Sequence, residues 1–208
     1  ITWNNISIID PLFTIPLLIL IIVASLKQKK IFAIVGVLWA VSYLLLGVYQ
    51  KNEAVKIGKE IAKKRGHDVI RIDVKPSIGN LLLWKLIYET EDEFYIDAIR
   101  LGWNPKVFKG ESIDKINTQT AFPWLVLKSQ QAIDIERFRW FSNGYIAINP
   151  KNKNQILDIR YSAIPNQIGG LWGIELSEEK PNNHHVRYIT NRTISSDRLK
   201  IIKEMLFY

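Results

Sequence analysis

Two long apolar runs without a charged side chain, residues 11–26 and 31–49, constrain this 208-residue chain more than any other feature. As an α-helix the second run would be about 28 Å long, close to the thickness of the hydrocarbon core of a bilayer. A peptide in lipid must satisfy its own backbone hydrogen bonds, so both runs are predicted to be helices. The short basic link between them makes the helices antiparallel neighbours. We therefore predict a transmembrane hairpin in residues 1–50, with spans at about 8–26 and 31–49.

Two other interpretations of these runs are less consistent with the sequence. A helix in a soluble core normally keeps a polar stripe with a period near 3.6, whereas residues 31–49 offer only Ser42 and the aromatic residues Trp39, Tyr43 and Tyr49 against apolar neighbours. A cleaved signal peptide would be one apolar region behind a basic segment, with no second span after it.

The positive charge of the chain is concentrated just after the second run. The formal net charge is +8, and residues 51–66 alone carry six Lys or Arg against two Glu. We predict a basic juxtamembrane helix at 51–66, ended by Gly66, and expect the lipid bilayer as its partner, with anionic headgroups near residues 51–65. A plain solvated linker helix is the alternative. Direct binding of nucleic acid is not expected, and the sequence identifies no protein partner.

The hydrophobic period changes to two from about residue 69, which is typical of strands. Residues 67–208 are predicted to form an α+β soluble domain, so the fold class is a membrane α-helical hairpin followed by an α+β domain with a largely antiparallel sheet. Strands are predicted at 69–74, 80–89, 93–101, 155–163, 171–176 and 185–190, with helical structure at 118–138 and in a last helix that runs to residue 206. The absence of cysteine excludes a thiolate metal site and a cysteine nucleophile.

Asp10, directly before Pro11 and the first apolar run, is the main candidate functional residue. As a helix cap, its carboxylate would complement the positive end of the helix. Alternatively, a carboxylate at membrane depth acts as a ligand or a catalytic group. Both roles remain open on the sequence alone.

The run NNISIIDPLF at residues 4–13, followed by an apolar hairpin and a mixed α/β tail, resembles the C-terminal half of a bacterial family. These are the inner-membrane metal-dependent hydrolases of the YbcI/YdjM type, also described as LexA-binding inner-membrane-associated hydrolases. In that family an Asn shortly precedes an Asp-Pro element, and a His-Arg-Gly-x-Thr-His-Ser motif lies upstream. That motif is absent from this chain, so only Asp10 and Asn5, with Pro11 beside them, can be carried over.

The resemblance implies a catalytic and metal-binding role for Asp10, with Asn5 as a second metal ligand. It implies the C-terminal part of a membrane-bound, metal-dependent hydrolase of unknown substrate, whose divalent metal site is mostly upstream. We therefore expect this chain to be a fragment that holds no metal and is inactive alone. The alternative function is a non-enzymatic membrane-anchored binding or interaction domain. The expected location is the bacterial inner membrane, multi-pass, and the distribution of basic residues favours a cytoplasmic C-terminal domain.

Overall fold

A pair of antiparallel helices forms the N-terminal part of the computed structural model, which describes residues 4–77, 79, 81–191 and 195–207. These helices are α1 (Pro11–Lys27) and α2 (Lys30–Lys64), and Gln28 turns the chain between them with a left-handed φ of 50°. Proline suits the first position of α1 because an amide there would have no partner within the helix. The predicted helical hairpin is thus confirmed.

The hairpin packs along one narrow seam and leaves its remaining apolar surface exposed. A Cβ atom on Gly36 would lie 3.6 Å from side-chain atoms of Leu17 and Leu20, so the helices approach closely at this glycine. By length and composition, α2 is the one helix among the described residues that is long and apolar enough to cross a membrane. Only 17% of an 18-residue apolar stretch of α2 is buried within the protein. α1 is also apolar but shorter.

The second half of α2 leaves the hairpin without a break and becomes part of the α+β core. Its small residues Ala54, Gly58 and Ala62 are buried. A Cβ atom on Gly58 would lie 2.6 Å from Leu86 Cδ1 and 2.7 Å from Ile72 Cδ1, so only glycine allows this approach without displacing its neighbours. The predicted basic helix 51–66 is therefore the C-terminal part of α2. It continues along the axis of the second apolar run instead of forming a separate element.

After α2, the described residues form two antiparallel sheets and three shorter helices. Sheet A has the order β1-β2-β3-β4, with β5 also paired to β3, and sheet B has the order β6-β7-β8-β9. The strands are β1 (Arg71–Pro76), β2 (Leu83–Glu89), β3 (Glu93–Arg100), β4 (Lys106–Phe108), β5 (Ser112–Asp114), β6 (Ile146–Asn149), β7 (Asn152–Asp158), β8 (Trp172–Glu175) and β9 (Arg187–Thr190). The remaining helices are α3 (Thr118–Ala121), α4 (Gln130–Phe141) and α5 (Ser196–Phe207). The predicted fold class is confirmed.

Sheet A lies between α2 and sheet B. Successive residues of a strand point to opposite faces, and in β2 the side chains of Trp84 and Leu86 pack in the α2 cluster. Ile87 points to the other face, where it packs with Tyr145 and Leu157 of the sheet B side. β2 is buried along its whole length because both of its faces are covered.

Helices close the two remaining surfaces of the domain. Ile135 and Phe138 of α4 pack on the far face of sheet B, against a cluster that includes Ile156. Met205 of α5 packs against Leu83 of sheet A. The layers therefore run from α2 through sheets A and B to α4, with α5 at one end of sheet A.

Several predicted elements differ from the observed ones in extent. The strands predicted at 93–101, 171–176 and 185–190 match β3, β8 and β9 to within two residues at each end. β1 lies two residues after its prediction, whereas β7 begins three residues before its predicted start and ends five residues before its predicted end. Asn80, predicted to begin the second strand, lies outside the described residues. The segment 118–138, predicted to be helical, is divided in the structure into α3, an irregular stretch that contains Pro123, and most of α4. The hydroxyl of Ser129 accepts a hydrogen bond from Ala132 N and caps α4 afresh.

Candidate anion-binding pocket at the hairpin junction

Asp10 joins the two helices of the hairpin at the end nearest the α+β domain. The side chain is 3% exposed, and the Tyr43 hydroxyl, 3.0 Å from both carboxylate oxygens, shares its one proton between them. One of these oxygens also accepts a bond of 3.3 Å from Phe13 N, which makes Asp10 the N-cap of α1. The capping role proposed from the sequence is therefore present. The catalytic and metal-binding roles of Asp10 stay predictions.

Asn5 lies at the same end of the hairpin, where its main chain contacts α2. A Cβ atom on Gly47 would lie 2.4 Å from the carbonyl oxygen of Asn5, so the glycine admits the N-terminal segment against the helix. Among residues 4–77, 79, 81–191 and 195–207, no three His, Cys, Asp or Glu side chains form a group that could hold a metal ion. The role of Asn5 as a metal ligand also stays a prediction.

A pocket of about 680 Å³ opens where the hairpin meets the α+β domain, and we call it the junction pocket. Four basic side chains line it, together with one carboxylate and several aromatic residues. The basic residues are Lys51, Arg71, Lys75 and Arg160, and the others include Asn4, Asp73, Trp140, Phe141, Asn143 and Tyr145. The lining therefore combines α2, the edge strand β1, the end of α4 and the segment after β7.

Arg71 is held in the junction pocket by contacts from both sheets. Its Nε forms an ion pair with Glu89 on the neighbouring strand β2, and its Nη1 donates a bond of 2.6 Å to the carbonyl of Asn143. The guanidinium lies 4.0 Å from the ring centroid of Tyr145. Burial alone would raise the pKa of Glu89, but Lys115 and Arg71 hold it below its ordinary value. Glu89 is therefore ionised at neutral pH, and its carboxylate orients Arg71.

Arg160 is positioned by a buried carboxylate beneath it. Its Nε and Nη2 donate to the two oxygens of Asp158 at 2.9 and 2.6 Å, and Nη2 also donates to the carbonyl of Phe141 at 3.0 Å. Asp158 is fully buried and accepts a further bond from Trp172 Nε1. This two-point contact fixes the plane of the guanidinium, which suits recognition of a planar or tetrahedral oxyanion.

Lys75 completes the basic wall from β1. Its ammonium lies 3.0 Å from Asp73 and 5.2 Å from the ring centroid of Tyr161. With Glu89, Asp158 and Lys115 included, the described residues of the pocket and its immediate supports are five cations and three carboxylates. The surplus of two positive charges favours an anionic ligand over a cationic one.

The junction pocket lies at the level where the apolar part of α2 ends. Lys51 follows the second apolar run within two residues, and Asn4 precedes α1 on the same side. Trp140 is 84% exposed at the end of α4 and is accompanied by the exposed Phe141. Exposed tryptophan beside basic residues at the end of an apolar helix is typical of the interface between a membrane and water.

Comparison of the chain with models of protein families, with curated proteins and with solved structures finds no match. The class that the fold and the site define is an α+β domain of two antiparallel sheets carried on a helical hairpin. That the chain belongs to the family of metal-dependent hydrolases stays a prediction.

The sequence predicted contact with anionic headgroups near residues 51–65, but most of the basic residues of the junction pocket lie outside that segment. Only Lys51 of the four cations belongs to that segment, and Lys56, Lys59, Lys63 and Lys64 are exposed on α2 outside the pocket. The other three cations come from β1 and from the segment after β7, about 20 and 110 residues further along the chain. No short motif signals such a site, because pairing of distant strands creates it.

Proposed function

We propose that this chain is a membrane-anchored binding domain that holds a phosphate-bearing ligand at the membrane surface in the junction pocket. The observation that carries the proposal is the cluster of four basic side chains beside an exposed tryptophan, at the end of the apolar hairpin. The sequence raised this function as an alternative to the hydrolase, and the junction pocket is the binding site that we propose for it.

In this proposal, α1 and the first part of α2 cross the membrane as a pair and act as the anchor. Exposed leucine, isoleucine and valine side chains on both helices support this, because lipid would cover them. Since both ends of such a hairpin emerge on one side, Asn4, Lys51 and the α+β domain share that side. The basic residues that follow the apolar run of α2 support a cytoplasmic side for the domain, and a bacterial inner membrane is proposed from the resemblance.

The continuous helix α2 supports a fixed orientation of the domain over the bilayer. Gly58 packs against the sheet A side chains, and Arg65 forms two bonds of 2.7 and 3.0 Å with the buried Asp97 of β3. A rigid connection of this kind keeps the junction pocket at the depth of the lipid headgroups, where a flexible linker would not. The preferred ligand is therefore the phosphate group of an anionic phospholipid.

The proposal is tested by titrating the detergent-solubilised chain with short-chain phosphatidylglycerol and with phosphatidylcholine of the same chain length, followed by native mass spectrometry. Phosphatidylglycerol should bind more tightly, and Lys51→Gln should weaken its binding about five-fold, because one basic residue near the surface contributes about 1 kcal/mol. Lys56→Gln is the matched control, since Lys56 is exposed on the same helix outside the pocket. A separate titration with glycerol 3-phosphate distinguishes a lipid headgroup from a soluble phosphate compound.

Equal binding of the two phospholipids, or equal effects of the two substitutions, would overturn the proposal. The hydrolase hypothesis remains as a second candidate that rests on the resemblance alone. The contacts of Asp10 and Asn5 with other described residues are those of the capping and packing roles given above.

A further inference from the structure

A buried lysine lies beside Ser162, and Ser162 lines a second cavity. The described residues that line this cavity are all different from those of the junction pocket. Lys85 is on β2, points toward sheet B and is 4% exposed. Its Nζ lies 2.7 Å from the hydroxyl oxygen of Ser162, 3.2 Å from the carbonyl of Pro165 and 3.1 Å from the carbonyl of Gln167. The ammonium therefore has three acceptors for its three protons.

If Lys85 lost one proton, its Nζ would be a base next to the hydroxyl of Ser162. Neutral Lys85 keeps two N–H donors, which match the carbonyls of Pro165 and Gln167, and its lone pair then faces Ser162 Oγ. The hydroxyl of Ser162 donates to the carbonyl of Ile164 at 2.7 Å while Lys85 is charged, and rotation about its C–O bond redirects the proton to Nζ.

The neutral form of Lys85 is accessible near physiological pH. Burial lowers the pKa of Lys85 to about 7, although the carboxylates of Glu111 and Asp158 raise it. Two further cations face this region, since Lys75 is directly opposite Lys85 on β1 and Arg198 of α5 lines the cavity. A lysine that loses its charge at this pH can serve as a general base.

The cavity offers space for a substrate beside the serine. It has a volume of about 400 Å³, and Ser162, Gly169 and Gly170 are among its lining residues. A Cβ atom on Gly169 would lie 3.8 Å from Ser162 Cβ, so the main chain at Gly169 passes close to the side chain of Ser162. Main-chain N–H groups close to a nucleophile are common donors to a developing oxyanion.

We propose that Ser162 and Lys85 are a nucleophile and its general base, and that they hydrolyse an ester or amide of a carboxylic acid bound in this cavity. Ser162 Oγ attacks the acyl carbon while its proton passes to Lys85 Nζ. The bond from the acyl carbon to the leaving group breaks, and Lys85 gives the proton to that alcohol or amine. Water, deprotonated by Lys85, then attacks the acyl-serine, releases the acid and restores the Ser162 hydroxyl.

A purely structural role for the pair makes a different prediction. In that case Lys85 only fixes the segment 162–167 through its carbonyls, and Ser162 has the reactivity of an ordinary serine. Both roles use the same hydrogen bonds in the charged state, so reactivity separates them.

The experiment treats the full detergent-solubilised chain with a fluorophosphonate, which transfers its phosphonyl group to an activated serine with loss of fluoride, and locates the label by peptide mass spectrometry. Labelling should occur at Ser162, with a rate that rises through pH 7 and levels off above pH 8. Ser162→Ala should abolish it, and Lys85→Met should slow it by about 100-fold or more. Ser112→Ala is the control, because Ser112 is an exposed serine bonded to Glu93 on another part of sheet A.

No label at Ser162 in the wild-type chain would overturn the proposal, and so would equal labelling of Ser112. If Lys85→Met does not fold, the wild-type pH profile decides: a rate at Ser162 that shows no inflection near pH 7 rules out Lys85 as the base. These outcomes do not depend on phospholipid binding, which concerns different residues.

Discussion

Replacing Arg65 by methionine should release the end of α2 from sheet A. Arg65 follows the last residue of α2 and donates bonds of 2.7 and 3.0 Å to the carboxylate of Asp97, which is 1% exposed. It also donates a bond of 3.0 Å to the Tyr88 hydroxyl. After the substitution, Asp97 keeps a bond of 2.9 Å from Gly110 N but has no positive partner among these contacts.

The expected loss of stability follows from leaving that carboxylate buried and uncompensated. Removing one partner of a buried ion pair costs about 3–5 kcal/mol, and the lower end applies because Arg65 itself is 26% exposed. For a chain of this size, about 3 kcal/mol corresponds to a fall in Tm of about 6–12 °C. The double variant Arg65→Met with Asp97→Asn should lose less than the sum of the two single variants, since it leaves no buried charge unpaired.

Thermal unfolding of the detergent-solubilised chain, followed by near-ultraviolet circular dichroism of its tryptophans, measures this loss. Lys63→Met is the matched control because it removes the same charge from an exposed position two residues earlier. If Arg65→Met and Lys63→Met lower the free energy of unfolding by amounts that differ by less than about 0.5 kcal/mol, the reasoning from the buried Asp97 charge is refuted.

Three further predictions concern the other features of the chain. The folded-state pKa of Lys85 lies below its ordinary value, so above pH 7 the unfolded chain binds more protons than the folded chain. The free energy of unfolding of the wild type should therefore rise between pH 7.5 and 8.5 by up to about 1.4 kcal/mol relative to that of Lys85→Met. Denaturant unfolding at each pH measures this rise. Gly58→Val should lower stability by about 1–3 kcal/mol in the same unfolding assay, because its side chain would overlap Leu86, whereas an equal stability would show that α2 can shift. The hydrolase hypothesis requires bound metal in the full-length protein that falls in Asp10→Asn, as measured by elemental analysis. An Asp10 that only caps α1 and accepts from Tyr43 leaves the metal content unchanged and costs about 1 kcal/mol of stability.

Local patterns predicted the elements whose identity depends on neighbouring residues. The strand 93–100 is clear in the sequence because the alternation of apolar and polar residues is a property of a short segment. The last helix is clear because Ser195 and Ser196 come directly before a helical pattern. The three-residue strands β4 and β5 were missed, since each exists only through pairing with β3. The segment 118–138 was predicted only as helical, without a boundary, whereas in the structure α3 ends at Ala121, before Pro123, and Ser129 caps the start of α4.

Of the candidate site residues, the sequence indicated Asp10 and its helix-capping role but could not provide its partner. The Tyr43 hydroxyl reaches Asp10 from 33 residues away, and only the antiparallel packing of α1 and α2 brings them together. The same limit applies to the junction pocket, whose cations are contributed by α2, β1 and the segment after β7.

The sequence by itself determined the helical hairpin and the change to an α+β domain, because a charge-free apolar run and a change of hydrophobic period are properties of consecutive residues. The tertiary structure alone decided where the charges meet. Lys85 is one lysine among many in the sequence, and its environment arises because β2 is covered on both faces and the segment 162–167 folds over it. Pairing of strands distant in sequence positions such groups, and no local pattern contains that information.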